Sequence, residues 1–469
     1  MAFLTGYCII QPMPNTENNH KNTSTDSAGK CIYPRPDHNI SRANISSNAL
    51  KVLYRLSGAG FDAYLVGGGV RDLLLEKKPK DFDVTTSATP EEVRVLFRNC
   101  RLIGRRFRLA HVHFGPEIIE VATFRGQHKG DQGDEGQIVD GMIVRDNVYG
   151  SLEEDAWRRD FSVNSLYYNI KDFSIEDHVG GLADLKDRRL RILGDPESRY
   201  REDPVRMLRA IRFAAKLDFS IDANTEAPLF KLGDLLEGVP PARLFEEVLK
   251  LFLSGHAVKT LALLRQYELF HYLFPQTEVC LKKADDKVSL DFINRALENT
   301  DNRVAEGKPV TPAFIFAVFL WQPVVCLRKK YLERGMSESQ TMTAAAEAVM
   351  AGQSRRISIP RRFHTPMRDI WHIQDRFLKR APKRSVRLLT HPRFRAGYDF
   401  LLLRAEVGDA ENELAQWWTC FYEADEQGRS EITDKLTRGR RQFKRRKAKT
   451  KSRPVAGSNS SESVSKPEE

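Results

Sequence analysis

Two aspartates separated by one residue, Asp81 and Asp83, are the best candidates in this sequence for catalytic chemistry. They lie in DFDVTT, a pattern typical of a β-strand, where residues i and i+2 share one face while Phe82 and Val84 face the core. Two aligned carboxylates repel each other unless a cation lies between them. Such a pair can hold two divalent metals during phosphoryl transfer, and Mg²⁺ suits these oxygen ligands. The alternative is a solvated strand edge.

Three consecutive glycines precede this pair. The segment LVGGGVRD, residues 65–72, places Gly67, Gly68 and Gly69 where a predicted strand gives way to a predicted helix. Backbone N–H groups at such a turn can converge on phosphate oxygens, and Arg71 adds a positive charge. Taken alone, the glycines are more often plain turn geometry. Their proximity to the paired aspartates favours a phosphate site.

Two later segments carry further candidate ligands. In EIIEVATF, residues 117–124, Glu120 alternates outward with apolar residues and could supply a third metal carboxylate or be an ordinary surface acid. In RRDFSVNSL, residues 158–166, the arginines match a triphosphate through their planar fork of donors, while Asp160 and Asn164 match sugar hydroxyls. A surface helix with paired charges would carry the same residue types.

The helix predicted around Pro204 holds the residues best suited to choose a nucleotide. Asp203 and Arg206 lie one turn apart and present an acceptor beside a donor. Adenine and cytosine offer an amino donor next to a ring-nitrogen acceptor, whereas guanine and uracil offer the reverse. An unpaired buried donor or acceptor costs ~1–3 kcal/mol, so this pair selects A or C over G or U by roughly ten- to a hundredfold. Arg209 follows on the same basic flank.

The elements that must position these residues divide into a small α+β region and a longer helical region. Strand and helix patterns alternate first, and after Tyr200 long amphipathic helical patterns follow. The Gly- and Asp-rich stretch between Gly126 and Gly141 is predicted to be a mobile loop. The predicted boundaries are a disordered N-terminal extension over 1–45, an α+β domain over 46–172, a helical domain over 173–280, a helical body over 281–430 and a disordered basic tail over 431–469.

Charge and cysteine usage bound the class of protein. The net charge is +11, and residues 438–453 hold ten basic and no acidic side chains, so residues 1–437 carry only +3. Six scattered cysteines without metal-ligand spacing exclude a disulfide scaffold, argue against structural zinc and fit reduced thiols. We find no apolar run near the ~18 residues of a membrane span and no signal-peptide pattern, which predicts a cytoplasmic protein without a membrane partner.

Four motifs, in this order and spacing, resemble the nucleotidyltransferase family that holds bacterial poly(A) polymerases and CCA-adding enzymes. They are LVGGGVRD, KDFDV, RRDF and EDPVRMLRAIRFA. Residues 102–115, LIGRRFRLAHVHFG, and residues 239–247, VPPARLFEE, resemble the poly(A) polymerase branch, and the likeness covers roughly residues 33–425. The resemblance implies a nucleotidyltransferase palm sheet with helices, a neck that reads the nucleotide and binds RNA, an all-α body and a disordered basic tail that binds RNA.

The resemblance also implies a role for each candidate residue. Asp81, Asp83 and Asp160 would be catalytic, and Mg²⁺ would be held by Asp81, Asp83 and Glu120. Either Glu120 or Asp160 would be the third essential carboxylate. Nucleotide-binding residues would be Gly68, Arg71, Arg159, Asp203, Arg206 and Arg209. One departure concerns the backbone: Glu76 stands where relatives commonly carry Gly, which costs about 1 kcal/mol if this residue is left-handed.

These roles predict a template-independent adenylyl transfer, in which an RNA 3′-hydroxyl attacks the α-phosphate of ATP and pyrophosphate leaves. The expected partners are ATP, the 3′ ends of mRNA and small RNA, and the RNA decay machinery, and the chain is expected to be a monomer. A CCA-adding tRNA nucleotidyltransferase stays open as an alternative, because the base-reading pair admits cytosine equally. A second alternative is an inactive RNA-binding protein that recruits decay factors through its tail.

Overall fold

The computed structural model describes residues 24–25, 30–104, 108–126, 136–139, 142–146, 148–282 and 287–434. They form two units. The first contains the described residues up to Val239 together with Gln266–Leu269, and the second contains Pro240–Arg265 and the described residues from Phe270 on. The predicted tail lies outside the described residues from position 435, and so does most of the predicted mobile loop.

A mixed sheet forms the frame of the first unit. The strands, in chain order, are β1 (Ser24–Thr25), β2 (Cys31–Tyr33), β3 (Ala63–Val66), β4 (Asp83–Thr86), β5 (Cys100–Ile103), β6 (Leu109–Phe114), β7 (Glu117–Thr123), β8 (Gly136–Val139), β9 (Met142–Asp146), β10 (Leu166–Asn169), β11 (Ile175–Asp177), β12 (Arg189–Leu190) and β13 (Ser220–Ile221). Nine of the described strands form one sheet in the order β1-β2-β11-β10-β3-β4-β7-β6-β5. Within it β4 and β7 are parallel and the other neighbours are antiparallel, while β8–β9 and β12–β13 pair separately.

The first unit also contains helices. They are α1 (Ser47–Gly58), α2 (Gly68–Leu74), α3 (Pro90–Leu96), α4 (Leu152–Arg158), α5 (Gly181–Lys186), α6 (Pro196–Glu202), α7 (Val205–Leu217) and α8 (Ala223–Glu226). The start of α3 shows why the sequence folds this way: the Thr89 hydroxyl accepts from the Glu92 N–H, and the Glu92 carboxylate accepts from the Thr89 N–H. The strands and helices predicted around the glycines and aspartates are confirmed, with β4 shorter than predicted.

The N-terminal part of the sheet corrects two predicted boundaries. β2 pairs with β11, and Ile40 and Ile45 are buried, so residues 30–45 are folded and the disordered extension predicted over 1–45 is wrong there. The physical reason is that this stretch supplies apolar residues that the polar sequence before it lacks. β11 continues the same sheet, so the α+β domain does not end at residue 172.

The end of α2 agrees with the sequence analysis. Glu76 is left-handed, with φ of 57°, and the Lys77 N–H donates to the Asp72 carbonyl at 2.8 Å. A C-terminal turn of this kind normally favours glycine. The expected conformational cost at Glu76 is therefore present.

The second unit is helical. Its helices are α9 (Pro241–Phe252), α10 (Ala257–Gln266), α11 (Phe270–Leu273), α12 (Pro275–Lys282), α13 (Lys287–Ala305), α14 (Pro312–Glu333), α15 (Glu338–Arg356), α16 (Arg361–Phe377), α17 (Pro382–Leu389), α18 (Phe394–Glu406) and α19 (Asn412–Glu423). Aromatic rings dominate its interior, for example Phe252, Phe274 and Phe319, whose centroids lie 4.6–6.4 Å apart. The all-helical body predicted from the amphipathic patterns is confirmed.

One helix among the described residues, α14, is long and apolar enough to cross a membrane. The sequence was not predicted to contain such a helix, because Gln322 and Pro323 interrupt its apolar run. More than half of its apolar window is buried within the chain. Its carbonyls at Ala317 and Phe319 accept hydrogen bonds from Trp371 at 3.0 Å and Thr277 at 2.8 Å. These contacts are those of a core helix.

Candidate active site

The predicted metal carboxylates lie where three strands meet. Val66, the last residue of β3, pairs with Asp83, and on the other side Asp83 pairs with Glu120 of β7. Paired residues project to the same face, so the Asp83 and Glu120 side chains are neighbours. Gly67 has φ of 74°, and a β-carbon there would lie 3.6 Å from Asp83 Oδ2 and 3.8 Å from Arg159 Nη1. The glycine turn therefore passes directly beside the carboxylate.

Asp81 does not lie on the strand with Asp83. β4 begins at Asp83, whereas Asp81 is exposed and Phe82 is only half-buried. A β-carbon at Gly69 would lie 3.4 Å from the Asp81 carbonyl oxygen. The backbone at Asp81 therefore packs against the glycine turn and does not join the sheet. The predicted strand alternation over Asp81–Asp83 is therefore wrong, although the Asp81 charge still acts on its neighbour.

Burial and neighbouring acids raise the pKa of Asp83 to about 6. Burial is the largest cause and Glu120 the next, with Asp81 adding to the rise and Arg159 opposing it. Among the described residues, no group of three or more His, Cys, Asp or Glu side chains is arranged to hold a metal ion. The donor chemistry nevertheless fits Mg²⁺, because a cation would relieve the repulsion between these carboxylates and oxygen ligands suit it.

A buried network holds Arg159 against the glycine turn. Its Nε and Nη2 donate to Asp155 Oδ2 at 3.2 and 3.0 Å, and Nε also donates to the Tyr167 hydroxyl at 2.9 Å. The same hydroxyl donates to Asp155 Oδ2 at 2.8 Å. The Arg159 guanidinium lies 5.3 Å from the centroid of the Tyr167 ring. Arg159 is therefore held from three directions.

Arg71 lies behind the glycine turn and does not line the cleft. Only 2% of its surface is exposed. Its Nε and Nη2 donate to Asp72 Oδ1 at 2.8 and 2.6 Å, and its Nη1 donates to Asn164 Oδ1 at 2.6 Å. The predicted nucleotide contact of this side chain is therefore corrected, because its donors are used in the interior. Gly68 is the first residue of α2, and a β-carbon at this position would lie 3.4 Å from Arg71 Nη2.

Asp160 and Arg209 form a largely buried ion pair. Arg209 Nε donates to Asp160 Oδ2 at 2.6 Å, while the other carboxylate oxygen accepts from Asn164 at 3.3 Å and from the Phe161 N–H at 2.9 Å. Burial opposes ionisation, but Arg209 and these hydrogen bonds lower the pKa of Asp160. The structure thus gives Asp160 a cationic partner.

The two candidate base-reading residues lie where α6 gives way to α7. Asp203 caps the end of α6, and its Oδ1 accepts from the Val205 N–H at 3.3 Å. Arg206 Nη1 donates to Glu202 Oε2 and to the Arg199 carbonyl, at 2.8 and 2.7 Å. Glu202 Oε2 also accepts from Arg199 Nη1 at 2.8 Å. One carboxylate therefore fixes two guanidinium groups.

An open cleft with an empty volume of about 950 Å³ collects half of the predicted site residues. They are Asp83, Glu120, Arg159, Asp203 and Arg206. Its wall adds Arg125, Arg158, Arg199 and Asp155, so five arginines line the cleft beside four carboxylates. Burial and Arg206 lower the pKa of Arg199 to about 10. The cleft is suited to a polyanion.

Sequence reasoning missed several residues of this site. Asp155 and Tyr167 support Arg159, and His111 Nε2 lies 3.4 Å from Glu120 Oε1 across the β6–β7 pair. The alternation of LAHVHF beside EIIEVAT could have suggested the histidine. For Arg199 and Glu202, the helical spacing with Arg206 was the available signal.

Comparison with known proteins identifies the family. Family models match residues 63–191 (Poly A polymerase head domain), 218–281 (Probable RNA and SrmB-binding site of polymerase A) and 334–453 (Polymerase A arginine-rich C-terminus). The chain is 53% identical over 398 residues to Poly(A) polymerase I of Salmonella typhimurium, covering 83% of this chain and 85% of that protein. The chain belongs to the poly(A) polymerase I family. Poly(A) polymerase I of Haemophilus influenzae is 48% identical over 407 residues, covering 85% and 89%.

Other relatives of this poly(A) polymerase I family member are more distant. The CCA-adding enzyme of Lactobacillus helveticus is 40% identical over 209 residues, which covers 45% of this chain and 50% of that protein. The crystal structure of the Bacillus stearothermophilus CCA-adding enzyme in complex with CTP has a TM-score of 0.53 at 24% identity, covering 79% of this chain and 80% of that one. This likeness confirms the predicted fold class, an α+β domain followed by a helical body.

Proposed function

We propose that the chain is a polynucleotide adenylyltransferase that adds AMP from ATP to RNA 3′ ends without a template, and so promotes RNA processing and decay. The observation that carries the proposal is the joint presence of Asp83, Glu120, Arg159, Asp203 and Arg206 in one cleft. The name of the relatives that cover most of the chain points to the same reaction. The CCA-adding relative covers only about half of the chain, which makes that alternative weaker.

The chain's own residues would divide the work between phosphate and base. Arg159, with Arg125, Arg158 and Arg199 in the same wall, would bind the triphosphate through charge-assisted hydrogen bonds. This wall would place the nucleotide so that its α-phosphate faces the carboxylates. Because the guanidinium of Arg159 is already fixed, little reorganisation is needed when charge develops in the transition state.

Asp81, Asp83 and Glu120 would hold Mg²⁺. When bound, the metal would lower the pKa of the RNA 3′-hydroxyl and stabilise the departing pyrophosphate. Asp160 would act through Arg209, which it fixes in a largely buried ion pair. Gly68 would stay close to the phosphates through its backbone alone.

Asp203 and Arg206 would read the base. Glu202 holds one donor of Arg206, so the orientation of the guanidinium is set before a nucleotide binds. The pair would present an acceptor and a donor to adenine. Cytosine fits the same two groups, so selection of ATP over CTP depends on the shape of the cleft around them.

Extension of a labelled, non-tRNA RNA with each of the four nucleoside triphosphates tests the proposal. We expect long products with ATP alone, and loss of these products in the Asp81→Ala, Asp83→Ala double variant. The exposed Asp62, which pairs with Lys171 at 2.8 Å, provides the control Asp62→Asn, which should extend RNA like the wild type. ATP extension that survives in the double variant would exclude these aspartates as metal ligands.

The remaining partners follow from the same activity. RNA decay proteins are proposed partners, the chain is proposed to act as a monomer, and the proposed location is the cytoplasm. The basic run over 438–453, outside the described residues, would bind RNA phosphates without sequence preference. Removing residues 438–469 should weaken RNA binding and its salt dependence while ATP binding is unchanged.

A further inference from the structure

The second unit carries a strongly basic segment that belongs to none of the four motifs. Residues 376–398 contain eight Lys and Arg side chains and no Asp or Glu. Residues 1–437 carry only +3 in total, so the rest of that stretch is net acidic and this segment is a local concentration of positive charge. Seven of the eight are exposed. The six exposed cations other than Arg395 define what we call the α17 basic face: Arg376, Lys379, Lys383, Arg384, Arg387 and Arg393.

The described part of the chain supplies no acidic partner for the α17 basic face. The two other cations of the segment are paired, Arg380 with Glu413 at 3.2 Å and Arg395 with Asp399 at 2.9 Å. Across the ranges that the structure describes, none of the six residues of the face forms an ion pair with an acid. An uncompensated cluster of this size repels itself and attracts a polyanion.

A packed aromatic core holds the segment in place. Phe377, Leu388 and Phe394 are buried, and the rings of Phe377 and Phe394 lie 4.8 and 6.0 Å from the ring of Trp418. Trp418 Nε1 also donates to the Phe377 carbonyl at 3.0 Å. The basic side chains therefore project from a fixed backbone, and binding a ligand would order only side chains.

We propose that the α17 basic face binds the phosphodiester backbone of RNA. Lys383 and Arg384 lie four and three residues before Arg387, so the charged groups of the three side chains lie on one side of α17. Four of the six cations are arginines, whose planar fork suits phosphate oxygens. The role of the face rests on the proposed function, which supplies RNA as a partner with a negative charge at every nucleotide.

A membrane surface fits the face less well. Its neighbouring exposed apolar side chains are Leu378 and Val386, exposed by 61% and 49%. Interfacial helices insert a continuous apolar face into the lipid, whereas the inward side of α17 is used for the core through Leu388. Only the positive charge of the α17 basic face would then attract an anionic bilayer.

The test compares two sets of substitutions in the full chain by fluorescence anisotropy with labelled single-stranded RNA, without ATP. The test set is Lys383→Gln, Arg384→Gln and Arg387→Gln together. The matched control is Lys329→Gln, Lys330→Gln and Arg334→Gln together, three exposed residues at the end of α14 that lower the net charge equally. Thermal unfolding of both variants establishes that they fold.

The salt dependence of RNA binding is the deciding quantity. Each neutralised phosphate of a single strand contributes ~0.7 to the slope of log K against log salt, so the test set should reduce the slope by about 2. The difference in affinity between the wild type and the test set should therefore shrink by about fifteenfold as salt rises from ~50 to ~200 mM. The control should keep the wild-type slope.

Three results would overturn the proposal. The slope of the test set could equal that of the wild type, both sets could lower it equally, or the test set could lose binding to phosphatidylserine vesicles with RNA binding unchanged. Because the assay contains no ATP, it separates this surface from the reaction. A wild type that binds RNA through the face but does not extend it with ATP would contradict the proposed function alone.

Discussion

The Tyr167 hydroxyl offers a narrow test of how the cleft fixes its arginine. Tyr167→Phe keeps the buried ring under Arg159 but removes the bond from Arg159 Nε at 2.9 Å and the bond to Asp155 Oδ2 at 2.8 Å. Hydrogen bonds to charged groups contribute about 1.5–3 kcal/mol each. Arg159 keeps its direct bonds to Asp155, so we expect the free energy of unfolding to fall by about 2 kcal/mol and not by the sum.

The effect on the reaction should be separate from the effect on stability. A looser Arg159 would stabilise the developing charge less well, and a loss of ~1.4 kcal/mol corresponds to about a tenfold lower kcat/KM for ATP. Urea unfolding gives the first quantity, and RNA extension at a temperature where the variant is fully folded gives the second.

Tyr168→Phe is the matched control, because Tyr168 is the next residue of β10 and is buried against His38 on the opposite face. It should leave kcat/KM for ATP unchanged. If Tyr167→Phe is destabilised but equally active when folded, the network supports the fold and does not position Arg159 for the reaction.

Three further changes test other parts of the first unit. Gly67→Ala should lower the free energy of unfolding by about 1–3 kcal/mol, because the φ of 74° at this position is strained for alanine. Gly58→Ala should not lower it, because a β-carbon at Gly58 would have no atom within 4 Å. Urea unfolding measures both variants. Burial opposes ionisation of the Glu176 carboxyl, but its basic neighbours lower the pKa of Glu176 to about 2 from 4.5. The charged form therefore stabilises the fold above about pH 4.5 and this stabilisation is lost as the pH falls towards 2, so the advantage of the wild type over Glu176→Gln, about 2 kcal/mol after solvent screening, should disappear in acid. Asp160→Asn and Arg209→Gln should each lower the free energy of unfolding by about 1.5–3 kcal/mol, and the double variant by less than their sum. A double-mutant cycle measures this, and additive costs would contradict a direct ion pair.

Local patterns in the sequence predict the elements that carry the site. The alternation around Glu120, the glycines after β3 and the amphipathic spacing of α7 depend on neighbours within one turn or one strand. The left-handed conformation of Glu76 belongs to the same class, since the end of a helix is decided by a few adjacent residues. The fold class follows from the order of such elements.

What the sequence could not predict depends on distant partners. Arg71 looks like a nucleotide contact beside the glycines, but its donor to Asn164 joins residues 93 positions apart. The pairing of Asp160 with Arg209 likewise joins residues 49 positions apart. The placement of Asp81 off the sheet likewise requires the packing of its backbone on the glycine turn. Side-chain type and spacing therefore suggested the chemistry, while long-range packing decided which groups face the cleft.

The most direct measurement is the product formed on a tRNA that lacks its 3′ end, supplied with ATP and CTP together and analysed at nucleotide resolution. We expect long tails of A, which form equally on generic RNA and do not require CTP. Addition of C, C and A followed by a stop would contradict this expectation, because the cleft would then select both nucleotides and end after three.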